Sequence, residues 1–316
     1  MPVSPKVLSK ARSARSQANS SRRLESSVSV VPRLDAALFA RGLAPSRTHA
    51  RRIVEEERAL VNGRLARKPS MSVCATDVLE VRDIPEGGEF ASRAALKLEG
   101  TLERLGARAP RIEGARVLDL GASTGGFSDV CLRRGARHVW AVDVGHGQLL
   151  ARLDREERLA NLEGTDARSL TRSVLAAAEP NGVGTPDLVV TDVSFISLTH
   201  ILEVAAGLVE PGAPLLFMLK PQFEVGRARL PKSGVVTDPR AWRDALMSIV
   251  ECARGVGLSL LAVHPSPLRG QDGNIEFFLL CEKLPFGTRA AEGECGMIEG
   301  ALAEAEGCRR EDCAGS

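Results

Sequence analysis

Tyrosine is absent from this chain of 316 residues, and all aromatics together make up 3% of it. Nucleic-acid binding through stacked rings therefore has little raw material. No apolar run approaches the roughly 18–20 residues that a membrane-crossing helix needs, and no apolar segment follows the basic N-terminal residues to make a signal peptide. The seven cysteines, at positions 74, 131, 252, 281, 295, 308 and 313, are odd in number and contain no C-x-x-C pair. That pattern gives neither a disulfide framework nor a paired-cysteine metal site. The expectation is a soluble, cytoplasmic protein with reduced thiols and no bound metal. What the chain does have is 44% hydrophobic residues, enough to fill one large core or two to three smaller ones at roughly 150 residues per domain.

The net charge of +2 hides an asymmetry. Residues 1–75 hold 15 Lys or Arg against 5 Asp or Glu, a net of +10, so the remainder carries −8. A basic first quarter on a mildly acidic body points to an N-terminal part that meets a polyanion and a larger part with another task. Residues 1–30 carry Lys6, Lys10, Arg12, Arg15, Arg22 and Arg23, many serines and no hydrophobic periodicity, and read as a disordered basic arm. From residue 31 the pattern changes. Leu34, Ala37 and Leu38 share one helical face that stops at Gly42; Ser46 is placed to cap a second helix whose Ala50, Ile53 and Val54 point inward and whose Arg47, Arg51 and Arg52 point out. Asn62-Gly63 between short apolar runs is a hairpin signal, and Asp77 to Val81 reads as another strand. The string RLDAALFARGLAPSRTHARRIVEEERALVNG resembles the S-four-type RNA-binding domain. That resemblance implies an RNA-binding unit over residues 31–81, with Arg33, Arg41, Arg47, Arg51, Arg52, Asn62 and Arg64 on its RNA face. Each arginine taken singly is equally an ordinary exposed helix residue.

Pro, paired Gly and charge mark residues 82–90 as a linker. Beyond it, seven apolar strand candidates alternate with helical patterns: Arg116 to Leu120, His138 to Val144, Leu159 to Glu163, Asp187 to Val193, Pro214 to Lys220, Leu258 to His264 and Ile275 to Glu282. Strands without clean polar alternation are covered on both faces, so residues 91–286 are expected to form an α/β, doubly wound, seven-stranded Rossmann-like sheet. Residues 287–316, rich in Gly, Ala and Glu, read as a flexible acidic tail.

The first of these strands runs into DLGASTGGFSD. Asp119 and Gly121 close the strand, Gly125 and Gly126 are expected to let the backbone approach a ligand, and a helix N-terminus follows. A dinucleotide fingerprint wants G-x-G-x-x-G; here Ser123 stands at the second glycine, which favours S-adenosylmethionine over NAD. Asp143, ending the next strand, is placed to accept ribose hydroxyls, and Asp166 an adenine amino group. Each acid alone also fits a plain strand-end or turn role.

A cofactor loop does not define a reaction, so the chemistry falls to charged residues at other strand ends. Lys97 lies in SRAALKLEG, a helix with an expected buried stripe of Ala94, Leu98, Leu102 and Leu105; Asp192 ends the fourth strand, Lys220 the fifth, and Glu276 opens the last. Lys220 interrupts a strongly apolar strand, where it must find a partner. This set fits methyl transfer to a ribose 2′-hydroxyl, a poor nucleophile that gains from a base. A lysine amine titrates at about 10.4 in water; desolvation and a second cation lower that value, while carboxylates orient the amine and oppose the shift. On this reading Lys220 is the base, Lys97 the second cation, and Asp192 and Glu276 hold the two amines.

The motifs DLGASTGGFSD, AVDVGHGQL, VVTDVSFISL, LKPQFEVGR, GVVTDP and GNIEFF are similar to those of the TlyA family of ribosomal RNA 2′-O-methyltransferases, also called hemolysins, within the FtsJ-like class. The resemblance covers residues 31 to about 285. It implies a catalytic Lys-Asp-Lys-Glu tetrad at Lys97, Asp192, Lys220 and Glu276. It also implies an S-adenosylmethionine loop from Gly121 through Ser123, Thr124, Gly125 and Gly126 to Phe127, and cytidine ribose methylation in ribosomal RNA or ribosomal subunits. One departure is SRAALKL where the family has SRGG or SRGA; the basic arm and acidic tail are two more. Two alternatives belong to other classes: a non-catalytic RNA-binding or ribosome-assembly factor, and a membrane-active hemolysin, for which a spanning helix and an export signal are missing. Residues 221–238, with Arg227, Arg229 and Lys232, read either as a loop that closes over RNA or as a merely exposed one. His146, His200 and His264 have no ligand spacing.

Overall fold

The computed structural model describes residues 32–44, 46–55, 58–82, 90–288 and 293–314. The expected basic arm and nearly all of the expected linker lie outside the described residues, as does the Arg52 side chain. In the N-terminal unit, α1 (Leu34–Ala40) and α2 (Arg47–Glu55) bury Leu34, Leu38, Ala50, Ile53 and Val54 against a small sheet of β1 (Ala59–Val61), β2 (Arg64–Leu65) and β3 (Leu79–Val81) in the order β2-β1-β3. Ser46 caps α2 as expected, its Oγ accepting from the His49 amide at 3.1 Å. The β1–β2 turn has Asn62 and Gly63 at φ 53° and 74°, the left-handed pair that matches the twist of a two-residue hairpin.

The larger unit contains α3 (Arg93–Leu105), β4 (Arg116–Leu120), α4 (Gly126–Arg133), β5 (His138–Asp143), α5 (Ala151–Asp154), β6 (Leu159–Glu163), α6 (Arg172–Ala177) and β7 (Leu188–Thr191). It continues with α7 (Thr199–Leu208), β8 (Pro214–Leu219), α8 (Pro221–Glu224), α9 (Pro239–Gly255), β9 (Leu258–Pro265), β10 (Phe277–Lys283) and α10 (Glu294–Ala314). The seven strands form one sheet in the order β6-β5-β4-β7-β8-β10-β9, in which β10 runs antiparallel to both its neighbours. Successive residues of the central strands feed opposite faces. Leu118, Val189, Leu215 and Phe217 pack with Ile201 of α7 and Trp242 of α9, while Val117, Leu188, Leu216 and Met218 pack with Leu98 of α3 and Val130 of α4. The strand order reverses between β4 and β7, which opens a crevice at their C-terminal ends.

Two local expectations change. The buried stripe of α3 is Ala95, Leu98, Thr101, Leu102 and Leu105; Ala94 sits at its edge, one residue out of phase. Residues 294–314 form a helix where a flexible tail was expected: Ile298, Ala301, Leu302 and Ala305 repeat at helical spacing and are buried in the main core. Small residues let α10 lie close to its neighbours, and ion pairs Arg104–Glu304, Arg243–Glu299 and Arg254–Glu294 join it to α3 and α9.

Candidate active site

The turn after β4 holds its shape through three left-handed residues, Gly121 (φ 86°), Ser123 (φ 57°) and Gly125 (φ 92°). Its glycines also serve internal packing, a role the sequence reading did not include. A Cβ on Gly121 would lie 2.8 Å from the Asp192 carbonyl oxygen; one on Gly125 would run into Leu149 and Leu153; one on Gly126 would strike Ser92 Oγ and lie 3.1 Å from the Ala95 nitrogen. Gly126 thus allows α3 to cross the start of α4. Asp129 of α4 fixes the same junction by accepting from the Ala91 amide at 2.7 Å. The small cleft beside the turn is walled by Ser92 and Ala94 before and within α3, by Gly121 to Ser123, by Gly126 and Phe127, and by Asp192.

Asp119 lies beneath the turn, fully buried. Ser128 Oγ donates to its Oδ2 at 2.7 Å, but Oδ1 has no partner. Burial pushes its carboxyl up to about 7, with the charges of Asp192 and Asp143 acting in the same direction and the Ser128 hydrogen bonds opposing. Asp143 ties the turn to β5, accepting from the Ser123 amide at 2.9 Å and the Gly145 amide at 2.7 Å. Asp166 stands apart from the cleft wall. It accepts from the Arg168 amide and is held at about 2 by the Arg168 guanidinium, so its observed role is local. Thr124 is buried, and its carbonyl accepts from the Leu150 amide at 3.2 Å.

The four charged candidates meet. Lys97 Nζ lies 2.6 Å from Glu276 Oε2, and Lys220 Nζ lies 2.6 Å from Asp192 Oδ1, with side-chain exposures of 12%, 3%, 9% and 15% respectively. The Lys220–Asp192 contact lacks hydrogen-bond alignment; the ammonium donates instead to Ser194 Oγ at 2.6 Å. The two pairs are neighbours by sheet register: Phe277 faces Leu219 across β10 and β8, and one further step sets Glu276 opposite Lys220. Asp192, on both the cleft wall and the tetrad, joins the two parts of the site. Ser92, Ser128 and Ser194 were missed in the sequence, where short hydroxyl residues in turns carry no distinctive signal.

In the N-terminal unit the expected RNA-facing residues divide. Arg47 and Arg51 are exposed on α2, and Arg64 on the hairpin. Arg33 pairs with Asp35 at 3.0 Å, and the exposed Arg47 reaches the same carboxylate at 3.7 Å. Arg41 and Asn62, both exposed, also tie the fold together: Arg41 donates to the carbonyls of Cys74, Ala75 and Asp77, and the Asn62 amide donates to Asp77 Oδ1 and accepts from the Val78 nitrogen, both at 2.9 Å. Among the described residues no cluster of His, Cys, Asp or Glu is arranged to hold a metal, and no helix is long and apolar enough to cross a membrane.

The FtsJ-like methyltransferase profile matches residues 90–283, and the S4 domain profile residues 32–79. A TlyA protein of Mycobacterium tuberculosis, named a 16S/23S rRNA (cytidine-2′-O)-methyltransferase, is 39% identical over 272 residues, covering 86% of this chain and 97% of that protein. Hemolysin A of Brachyspira hyodysenteriae is 31% identical over 78% of this chain and 97% of its own length. A solved structure named as a hemolysin from Streptococcus thermophilus superposes with a TM-score of 0.67 at 30% identity, covering 89% of this chain and 98% of that one. The chain belongs to the TlyA family of FtsJ-like methyltransferases. Helix α10 extends past the matched residues 90–283.

Proposed function

We propose that this chain transfers a methyl group from S-adenosylmethionine to the 2′-hydroxyl of cytidine in ribosomal RNA, with Lys220 as the base. The observation that carries the reading is the double pairing of Lys220 with Asp192, which lines the cleft, and of Lys97 with Glu276, which immediately precedes the strand paired with the one that leads into Lys220.

The cleft suits the cofactor by charge. Its walls contain no Lys or Arg, Asp192 lies on them, and Asp119 presents a buried oxygen without a partner. An amino group and a sulfonium are attracted to such a site, whereas the pyrophosphate of a dinucleotide is repelled. Asp143 would take the ribose hydroxyls and the turn from Gly121 to Phe127 the rest. The bound cofactor supplies an electrophilic methyl on a cationic sulfur. Lys220 accepts the proton of the 2′-hydroxyl while Asp192 orients the amine. Lys97, held by Glu276, keeps a positive charge near the oxygen as it becomes nucleophilic. The near-complete burial of Glu276 and Lys220 keeps water from competing. The exposed Arg47 and Arg51, with the basic residues of 1–30, would engage RNA phosphates.

The test is to incubate the chain with labelled cofactor and separate ribosomal subunits and map the modified sugar. Lys220→Ala should lower turnover by about 10²–10⁴-fold, the usual contribution of a positioned base, with cofactor affinity unchanged. Retained turnover would remove Lys220 from that role.

A further inference from the structure

Ser194 stands outside the lysine–carboxylate set, yet its Oγ accepts a hydrogen bond from Lys220 Nζ at 2.6 Å, the same separation as that from Lys220 Nζ to Asp192 Oδ1. Two oxygen atoms therefore flank one amine. A neutral amine has two N–H bonds and one lone pair, and only the lone pair can receive a proton. Only the hydroxyl is in line to accept a hydrogen bond; the Asp192 oxygen is close but not aligned, so it attracts the amine by charge without fixing its rotation. With one N–H held on Ser194 Oγ and the carboxylate repelling the lone pair, the lone pair is left facing away from both; without Ser194, rotation about the Cε–Nζ bond would exchange the lone pair with an N–H at little cost.

Several contacts tie the loop that carries Ser194 to the segment after Lys220. The next residue, Phe195, is largely exposed and has φ 65°, a left-handed conformation uncommon for a bulky side chain. Its ring packs against Phe223, centroids 5.3 Å apart, and Phe223 lies three residues beyond Lys220. Glu224 closes the same junction: Oε2 accepts from Ser197 Oγ at 2.6 Å and Oε1 from the Leu198 amide at 2.9 Å. The segment bearing Asp192 and Ser194 is in this way fastened to α8, which Lys220 immediately precedes.

We propose that Ser194 is a positioning residue for proton transfer, acting through Lys220 by fixing the direction of its lone pair. This rests on Lys220 being the base. In the step, the 2′-O–H bond would break as a new N–H bond forms on Lys220, and the electron pair left on oxygen would form the O–CH3 bond while the methyl–sulfur bond breaks, its pair returning to sulfur so that the cofactor leaves as a neutral thioether. The resulting ammonium keeps its hydrogen bond to Ser194 Oγ, is stabilised by the nearby Asp192 charge, and returns a proton to solvent before the next turnover.

The experiment compares the full-length chain with Ser194→Ala, Ser194→Thr and Lys220→Ala, using ribosomal subunits as methyl acceptor. Ser194→Ala should lower kcat about tenfold, equivalent to about 1.4 kcal/mol of barrier, while KM for RNA and calorimetric cofactor affinity stay at wild-type values. Ser194→Thr, which keeps the hydroxyl, should restore kcat. In cofactor-free protein, Lys220 should be labelled about threefold faster by trinitrobenzenesulfonate in Ser194→Ala than in wild type or Ser194→Thr, since one restraint on the amine is gone. Wild-type kcat in Ser194→Ala, or no recovery in Ser194→Thr at an unchanged melting temperature, would overturn the proposal. Turnover retained by Lys220→Ala would instead overturn the base assignment, and an inactive Lys220→Ala beside a fully active Ser194→Ala would sink the role of Ser194 alone.

Discussion

Asp119→Asn isolates the electrostatics of the buried cleft floor. The folded protein holds this carboxyl up at about 7 against an ordinary value of 3.8, because burial disfavours the charged form. Below pH 3.8 both folded and unfolded chains keep the proton and the group contributes no penalty. As pH rises from there, the unfolded chain releases its proton first, so stability falls by about 1.36 kcal/mol per pH unit until the folded chain also ionises near pH 7. Above that the penalty is constant, with a ceiling of about 4 kcal/mol. Asparagine keeps the shape and a partner for Ser128 but cannot ionise. Its stability advantage over wild type should therefore grow by about 3 kcal/mol between pH 5 and pH 8, then level off. For a unit of this size that is a widening melting-temperature gap on the order of 8 °C. The assay is thermal unfolding of both proteins across that range, where all other titrating groups cancel in the difference. A gap that stays flat from pH 5 to pH 8 would refute the reasoning. The same group bears on the cofactor: a cationic ligand favours the carboxylate, so wild-type affinity for S-adenosylmethionine should rise from pH 5 to pH 7. The Asn variant should bind more weakly and without that dependence.

Gly126→Ala should destabilise the protein by about 1–3 kcal/mol, because its Cβ meets Ser92 and Ala95 and pushes α3 from α4. Turnover should fall further than stability alone explains, since Lys97 moves with α3; wild-type kcat in a folded variant would contradict this. Leu302→Ala should cost about 2–5 kcal/mol, read as a lowered melting temperature, if α10 belongs to the core as its buried stripe indicates. An unchanged melting temperature would return residues 294–314 to the status of a tail. Replacing Arg47 and Arg51 together by Ala should reduce the salt dependence of ribosomal RNA binding by about two units of slope while calorimetric cofactor affinity holds. An unaltered slope would move the RNA face off α2.

The parts legible in the sequence were those governed by local pattern or by strand ends. Apolar runs gave all seven strands within two residues of their observed limits, and charged residues at the ends of β7 and β8 and just ahead of β10 came to one edge, because parallel β7 and β8 deliver their C-terminal ends where antiparallel β10 begins. What a pattern cannot show is which surface a residue is turned toward. Asn62 and Arg41 carry the right chemistry for RNA, but one sits in a left-handed turn whose amide secures β3, and the other caps three carbonyls of the 74–77 turn. Helix α10 was hidden for a related reason. Alanine and glycine lower the apolar contrast of a segment, yet Ala301 and Ala305 are buried beside Ile298 and Leu302, so a weak periodic signal conceals a well-buried helix.

The glycines of the β4 turn show how this limit bears on catalysis. Read as an opening for a ligand, they promise only a cofactor. In the fold, the missing side chain of Gly126 lets α3 pass over α4, and the missing side chain of Gly121 brings the turn against the Asp192 backbone. Lys97 rides on α3 to Glu276, while Asp192 reaches Lys220. The turn that walls the cleft therefore also sets where both lysines stand. A substitution there should disturb methyl transfer even where cofactor affinity survives, and that separation distinguishes a packing glycine from a binding one.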